Sequence, residues 1–241
     1  MTPVQTYARI AGILLLISFI GGTFGELIVP TAIIAPGNAA ETANRIVAHE
    51  TLFRFGFVGY LSEAVCDVAL ALVFYVLLRP VHRNLALFAA FLGLISTAMF
   101  AVCELLFFVG PVLLRNPAYL QNFSREQING LVSFFTYVYG TGAGLFMVFY
   151  GLASLIRGYL IYRSTYIPRF VGVLLMITGV AFIVKNLTLV LAPAYSWDLL
   201  LLPAPLMVVA LTVWFLWKGV DIQKWNARVL AMRAVTDPSL T

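Results

Sequence analysis

Charged residues are scarce in this sequence: only 10% of its 241 residues are Asp, Glu, Lys or Arg. A soluble domain carries about 25% charged residues, which give its surface groups that water can solvate. The shortage of charge therefore excludes a soluble globular domain. Instead, 62% of the residues are hydrophobic, the mean hydropathy is +0.97, and the apolar residues fall in runs of roughly 20, the length that crosses a bilayer. We predict an integral membrane protein without a separate soluble domain.

Residues that carry enzyme chemistry are equally rare. The two histidines, His49 and His82, fall on opposite sides of the membrane in the predicted topology, so they cannot share a metal ion. Cys66 and Cys103 lie inside apolar runs, where they are expected to be small packing residues. No phosphate-binding glycine loop and no serine with a histidine at matching depth is present. We therefore predict no metal and no cofactor, and we lean against an enzyme.

Six apolar segments predict six membrane helices. They cover approximately 8–29, 53–78, 85–109, 131–156, 170–192 and 198–217. The predicted fold is all-α: one transmembrane domain, 1–241, built as a six-helix bundle. We interpret the first segment as a membrane helix because no cleavage site follows it. The loops predict two short outer helices. One spans 39–49 after the Asn38-x-x-Glu41 pattern, and the other spans 117–127. Ser124-x-x-Gln127 resembles a capping box just before the fourth membrane helix.

The distribution of basic residues predicts the topology. The net charge is +5, but there is no basic run, so nucleic acid is not a predicted partner. Placing the N-terminus in the cytoplasm gives an inner side richer in Lys and Arg, as the positive-inside rule requires. The inner residues are then Arg9, Arg79, Arg83, Arg157, Arg163, Arg169, Lys218, Lys224, Arg228 and Arg233, against Arg45, Arg54, Arg115 and Arg125 outside. Both termini are therefore predicted to be cytoplasmic.

A few polar residues interrupt the apolar segments, mostly in the outer half of the membrane. Helical rise places Glu63 roughly 15 Å and Asp67 roughly 20 Å below the outer boundary, on one helix face. A charge at the bilayer centre costs about 2.5–3.5 kcal/mol, so these side chains should face the bundle interior or water. The candidate site residues are Glu26, Glu63, Asp67, Glu104, Lys185 and Asn186.

Each of these residues also has a purely structural interpretation. Glu26 can extend to the membrane surface, and Glu104 can form an ion pair with Lys185 between the third and fifth helices. Glu63 and Asp67 can hydrogen-bond neighbouring helices, which contributes about 1 kcal/mol each. The pairs Gly21-x-x-x-Gly25 and Gly140-x-x-x-Gly144 match the small-residue spacing of close helix contacts.

Several stretches resemble a known family. They are Arg54-Phe55-Gly56, Cys66-Asp67-Val68-Ala69-Leu70, Arg79-Pro80-Val81 and Pro168-Arg169-Phe170. Together the sequence is similar, over roughly 5–220, to bacterial multi-pass membrane proteins grouped as domain of unknown function 4386. The resemblance implies the fold and a bacterial cytoplasmic-membrane location, and it implies no activity. It also implies that Asp67 belongs to the family pattern more securely than Glu63, Glu104 or Lys185.

These observations leave three functional hypotheses. The leading one is a protein that binds or transports a small ligand, lipid or ion through an outward-facing polar cavity lined by the candidate residues. The second is a structural or accessory membrane subunit whose polar residues only join helices. The third is a membrane enzyme acting on a lipid. The predicted partners are the lipid bilayer and such a ligand, and the sequence leaves the oligomeric state open.

Overall fold

The computed structural model describes residues 2–115 and 118–236, and all the regular structure in that part of the chain is helical. Six helical segments are long and apolar enough to cross a membrane. They are Pro3–Ile33, Glu50–Leu78, Arg83–Leu114, Arg125–Ser164, Arg169–Leu191 and Asp198–Trp217. The predicted all-α fold with six membrane helices is confirmed. The largest difference in bounds is in the fourth span, which is longer at both ends than the predicted 131–156.

The helices are numbered in chain order. The first span consists of α1 and α2 joined by a π-helical segment, Thr23–Ile28, and the last span starts with a 3₁₀ turn at Asp198–Leu201. The α-helices are α1 Pro3–Gly22, α2 Val29–Ile33, α3 Ala39–Ala48, α4 Glu50–Leu78, α5 Arg83–Leu114, α6 Arg125–Ser164, α7 Arg169–Leu191, α8 Pro203–Trp217 and α9 Ile222–Thr236.

The capping signals read from the sequence form as predicted. The Asn38 side chain accepts a hydrogen bond from the Glu41 amide at 2.9 Å and starts α3. Before α6, the Gln127 amide donates to Ser124 at 3.2 Å, and the Ser124 amide donates to the Gln127 side chain at 2.8 Å. The segment predicted as a second outer helix holds a 3₁₀ turn at Ala118–Leu120, and its residue 117 lies outside the described residues.

The chain forms two compact units, and each is described by itself. The first unit is drawn from Met1–Leu16, Cys66–Ser96 and Met147–Thr241, and the second from Ile17–Val65 and Thr97–Phe146. The single domain predicted over 1–241 stays a prediction.

In the first unit, α6 and α7 cross with their backbones in close contact. A Cβ atom added to Gly158 would lie 2.7 Å from the Gly172 carbonyl, and one added to Gly151 would lie 2.7 Å from the Gly179 carbonyl. The two glycines of each helix are a heptad apart, so they form one stripe along each contact face. Next to this crossing, the Tyr166 hydroxyl donates to the Leu77 carbonyl at 2.6 Å, which satisfies two buried polar groups.

In the second unit, the first span crosses α4 at glycine residues. A Cβ atom added to Gly21 would lie 2.8 Å from the Gly59 carbonyl, and one added to Gly25 would lie 3.0 Å from the Gly56 carbonyl. The small-residue pair predicted at Gly21 and Gly25 therefore makes a close helix contact. At Gly140, by contrast, an added Cβ atom would meet no heavy atom within 4 Å.

Large apolar side chains cover the outside of the spans. Val65, Leu72 and Leu191 are each well exposed. Exposed apolar surface on this scale is unfavourable in water but is solvated by lipid chains. Together with the six long apolar helices, it makes this chain a multi-pass membrane protein.

Candidate functional site

The candidate site is an acidic cluster in the second unit, and it begins at the π-helical segment of the first span. Pro30 has no amide hydrogen, so it cannot donate to the carbonyl of Glu26, four residues earlier. The chain widens instead: the Val29 amide bonds to the Phe24 carbonyl, five residues back. This π-helical segment carries Glu26, whose side chain is half-buried. Widened turns of this kind frequently occur at functional sites.

Glu104 of α5 is the most buried acid of the cluster, at 3% exposure. Neither of its carboxyl oxygens makes a hydrogen bond of regular geometry with any described residue. The Tyr60 hydroxyl and the Glu26 carboxyl lie within electrostatic range of it. The Tyr60 hydroxyl is within hydrogen-bonding reach, so Glu104 is a buried acceptor group whose hydrogen-bonding capacity is at most partly used within the described part of the protein.

Two tyrosines lie beside Glu104. The hydroxyl groups of Tyr60 on α4 and Tyr139 on α6 share a hydrogen bond of 2.5 Å, and Glu104 interacts electrostatically with both of them. The Phe107 ring packs on Tyr139 with 4.7 Å between centroids, and its edge faces Tyr60. The acid thus sits against an aromatic wall that carries two hydroxyl groups.

Glu63 is placed by the glycine crossing of the first span and α4. A Cβ atom on Gly22 would lie 2.6 Å from one Glu63 carboxyl oxygen. Only glycine leaves space for that carboxyl group against the backbone of the first span. Similarly, an added Cβ atom on Gly142 would lie 2.8 Å from the Cys103 sulfur, so α6 approaches α5 closely next to Glu104.

The basic residues of the second unit lie outside the acidic cluster. Its sequence contains no lysine and four arginines. Arg45 pairs with Glu41, and Arg54 and Arg115 both pair with Glu50, at 2.7–2.8 Å on the exposed surface. Arg125 is exposed at the start of α6. The arginines of this unit are therefore on its surface, and its sequence supplies no lysine.

In the first unit, Asp67 has a neighbour that sequence reasoning missed. We placed Arg157 at the cytoplasmic end of the fourth span, but α6 continues to Ser164 and Arg157 is only 7% exposed. Its guanidinium group lies 5.3 Å from the centroid of the Phe74 ring and against the backbone of Gly93. Asp67 and Tyr150 interact with it electrostatically. After Arg157 and Gly158 the sequence continues with four apolar or aromatic residues, 159–162, before the next basic residue, Arg163, and this extra turn was the sequence signal for a buried arginine.

The other two candidates in the first unit have local partners. Lys185 lies 3.4 Å from the carboxylate of Asp198, an acid that the sequence analysis did not consider and that is 92% exposed. An ion pair with so solvent-exposed a partner contributes about 0–1 kcal/mol to stability. The Asn186 side chain donates to the Phe182 carbonyl of its own helix at 2.8 Å. Glu26, Glu63 and Glu104 thus belong to the second unit, and Asp67, Lys185 and Asn186 to the first.

These features define an all-helical, six-span membrane protein with acidic side chains inside one of its compact units. Residues 10–219 match the family described as "Domain of unknown function (DUF4386)". The chain belongs to this family, as the resemblance predicted.

A more distant similarity links the chain to an archaeal protein. A protein of Archaeoglobus fulgidus with the printed name "Uncharacterized protein" is 23% identical over 133 residues, which cover 55% of this chain and 66% of that protein. The match therefore spans slightly less than two thirds of the relative. No solved structure matches the chain.

Proposed function

We propose that this protein binds or transports a small ligand or ion in the membrane, with Glu104 as the central acid of the site. The observation that carries the proposal is the burial of the Glu104 carboxyl group with both oxygens lacking a regular hydrogen bond. A buried polar group in that state destabilises a protein by about 1–3 kcal/mol, and more if it is charged. A ligand that occupies both oxygens removes that cost.

The structural setting supports binding more than helix joining. A carboxyl group that only joined helices would contribute through regular interhelical hydrogen bonds. Neither Glu104 oxygen makes one of regular geometry with the described residues, although the Tyr60 hydroxyl of α4 lies within reach. The neighbouring π-helical segment carries a second acid, Glu26. Both features belong to the second unit, which makes it the region where ligand contacts are expected.

The proposal narrows the set of site residues. Glu104, Glu26 and Glu63, together with Tyr60 and Tyr139, form the proposed binding site of the second unit. Asp67 is a separate candidate in the first unit because Arg157 provides its counter-charge. Lys185 and Asn186 remain candidates with weaker support, since each has a local partner. The outward-facing cavity is part of the proposal.

The proposed setting is a bacterial cytoplasmic membrane, with both termini inside and the lipid bilayer as the main partner. The distribution of Lys and Arg supports this orientation.

The test uses the full chain reconstituted in liposomes. Charge movement on a solid-supported membrane is recorded while a panel of small cations, anions and neutral solutes is applied. We expect at least one solute to produce a saturable response that Glu104→Gln lowers at least tenfold. The substitution keeps the shape of the side chain and removes only its ability to become an anion.

A matched control separates this effect from general damage. Glu126→Gln makes the same chemical change at an exposed position in the first turn of α6, and it should respond like the wild type. If Glu104→Gln retains the full response, the proposal is wrong. Loss of thermal stability in Glu104→Gln without a change in any response would favour the accessory-subunit hypothesis.

A further inference from the structure

The chemistry of the Glu104 site indicates the class of its ligand. This inference rests on the proposed function, because it names what the same site binds. We infer that the site takes a primary ammonium group, R–NH₃⁺, from a small amine or from an aminolipid headgroup. The argument has three steps, which concern the sign of the charge, the number of hydrogen-bond donors, and the shape and polarity of the wall.

The charge of the site selects a cation. The acids Glu26, Glu63 and Glu104 belong to this unit, whose sequence provides no lysine. Three of its four arginines are engaged by the surface acids Glu41 and Glu50. Glu26 and Glu104 already interact electrostatically with each other, so an anionic ligand would add repulsion to this pair of acids, whereas a cation is attracted to both.

The unused acceptors of the site select a cation that carries N–H groups. Both oxygens of Glu104 lack a regular hydrogen bond with the described residues, and a carboxylate accepts several donors. A primary ammonium group offers three N–H donors, while a quaternary ammonium offers none. A bound R–NH₃⁺ can satisfy both Glu104 oxygens and still donate to the hydroxyl of Tyr60 or Tyr139.

The wall of the site suits an organic cation. Tyr60, Phe107 and Tyr139 pack into one aromatic cluster beside the acid. Aromatic faces attract cations, and the rings provide apolar surface for the carbon chain of an organic cation. Among the described residues, no group of three or more His, Cys, Asp or Glu side chains is arranged to hold a metal ion. A carboxyl group with two hydroxyl groups and an aromatic wall is the chemistry of amine recognition.

The experiment compares three probes of similar size on the purified full-length protein in phosphatidylcholine nanodiscs. They are n-butylammonium, tetramethylammonium, which has the charge but no N–H donor, and 1-butanol, which has no charge. Binding is measured by calorimetry and by the shift of the unfolding temperature. We expect n-butylammonium to bind at least tenfold more tightly than either of the others. Equal binding of tetramethylammonium or of 1-butanol would overturn the inference.

Two variants locate the probe. Glu104→Gln should weaken n-butylammonium binding at least tenfold, and Tyr139→Phe, which removes one hydroxyl group and keeps the ring, should weaken it a few-fold. Glu126→Gln is the control and should bind like the wild type. If Glu104→Gln does not fold, the double variant Tyr60→Phe/Tyr139→Phe, which removes both hydroxyl groups, still tests the site, and unchanged binding in it contradicts the inference.

A lipid arm distinguishes the two sources of the ammonium group. Nanodiscs containing phosphatidylethanolamine should suppress n-butylammonium binding if the headgroup is the ligand, and should leave it unchanged if the ligand is a soluble amine. Failure of this inference also differs from failure of the proposed function. A Glu104-dependent response to a solute that is not an amine would refute the amine and preserve the binding function.

Discussion

At the scale of single residues, the two buried charged groups Glu104 and Arg157 have different surroundings. Arg157 has an aromatic ring, a backbone contact and the acid Asp67 around its guanidinium group. Glu104 has two tyrosines and another acid. Arg157 therefore has a counter-charge within its own unit, and its role in stability is testable without knowing any ligand.

We predict that Arg157 and Asp67 stabilise the fold as a coupled pair. Arg157→Met should lower the free energy of unfolding by about 3 kcal/mol, because the half-buried Asp67 loses the cation with which it interacts. Asp67→Asn should also destabilise the protein, and the double variant should lose less than the sum of the two by about 1 kcal/mol or more. Denaturant unfolding in detergent micelles measures all three.

The control for this prediction is Lys185→Met. Its ion pair with Asp198 is solvated, so the loss should stay within about 1 kcal/mol. Additive effects of Arg157→Met and Asp67→Asn would show that the two side chains do not act on each other.

At the scale of helices, glycine decides where pairs of spans meet. The crossing of α6 and α7 has reciprocal backbone contacts at Gly158 and Gly172 and again at Gly151 and Gly179. Close approach of this kind increases the dispersion contacts that hold helices together in lipid, where the hydrophobic effect between helices is absent. The contact is this close along its whole length because glycine, which has no side chain, occupies these four positions.

We predict that Gly158→Ala destabilises the protein although alanine is the better helix former. Its Cβ atom would lie 2.7 Å from the Gly172 carbonyl and from Met176. Overpacking of this kind costs about 1–3 kcal/mol, which exceeds the gain of about 1 kcal/mol in helix propensity. The measurement is the midpoint of thermal unfolding in detergent.

Gly140→Ala is the matched control on the same helix. An added Cβ atom there meets no heavy atom within 4 Å, so only the propensity term applies and the midpoint should rise slightly. A rise of the midpoint in Gly158→Ala as well would contradict a tight crossing.

At the scale of the whole molecule, the orientation in the membrane follows from charge and remains to be measured. We predict cytoplasmic termini. In right-side-out vesicles, Glu126→Cys should react with a membrane-impermeant maleimide, and Lys224→Cys should react only after permeabilisation. The native Cys66 and Cys103 are buried and give a low background. The reverse labelling pattern would show that the positive-inside count fails here.

Helix existence and helix caps were predictable from the sequence, whereas helix lengths were not. Hydrophobic runs of membrane length and the Asn38 and Ser124 caps are local signals, and each formed as expected. The fourth span was predicted to end before Arg157 because a charge usually marks the membrane boundary. It continues because Phe74, Gly93 and Asp67 surround that charge inside the protein.

The sequence by itself determined the membrane class, the six spans and the presence of acids within them, because length, hydropathy and composition are properties of the chain alone. Only the tertiary structure decided which polar groups meet. In the first unit Lys185 bonds to Asp198, and in the second Glu104 lies beside Tyr60 and Tyr139. Which side chains come into contact depends on the rotation of each helix about its axis and on where glycines allow two backbones to approach. The sequence of one span does not specify either, because both depend on the neighbouring helix.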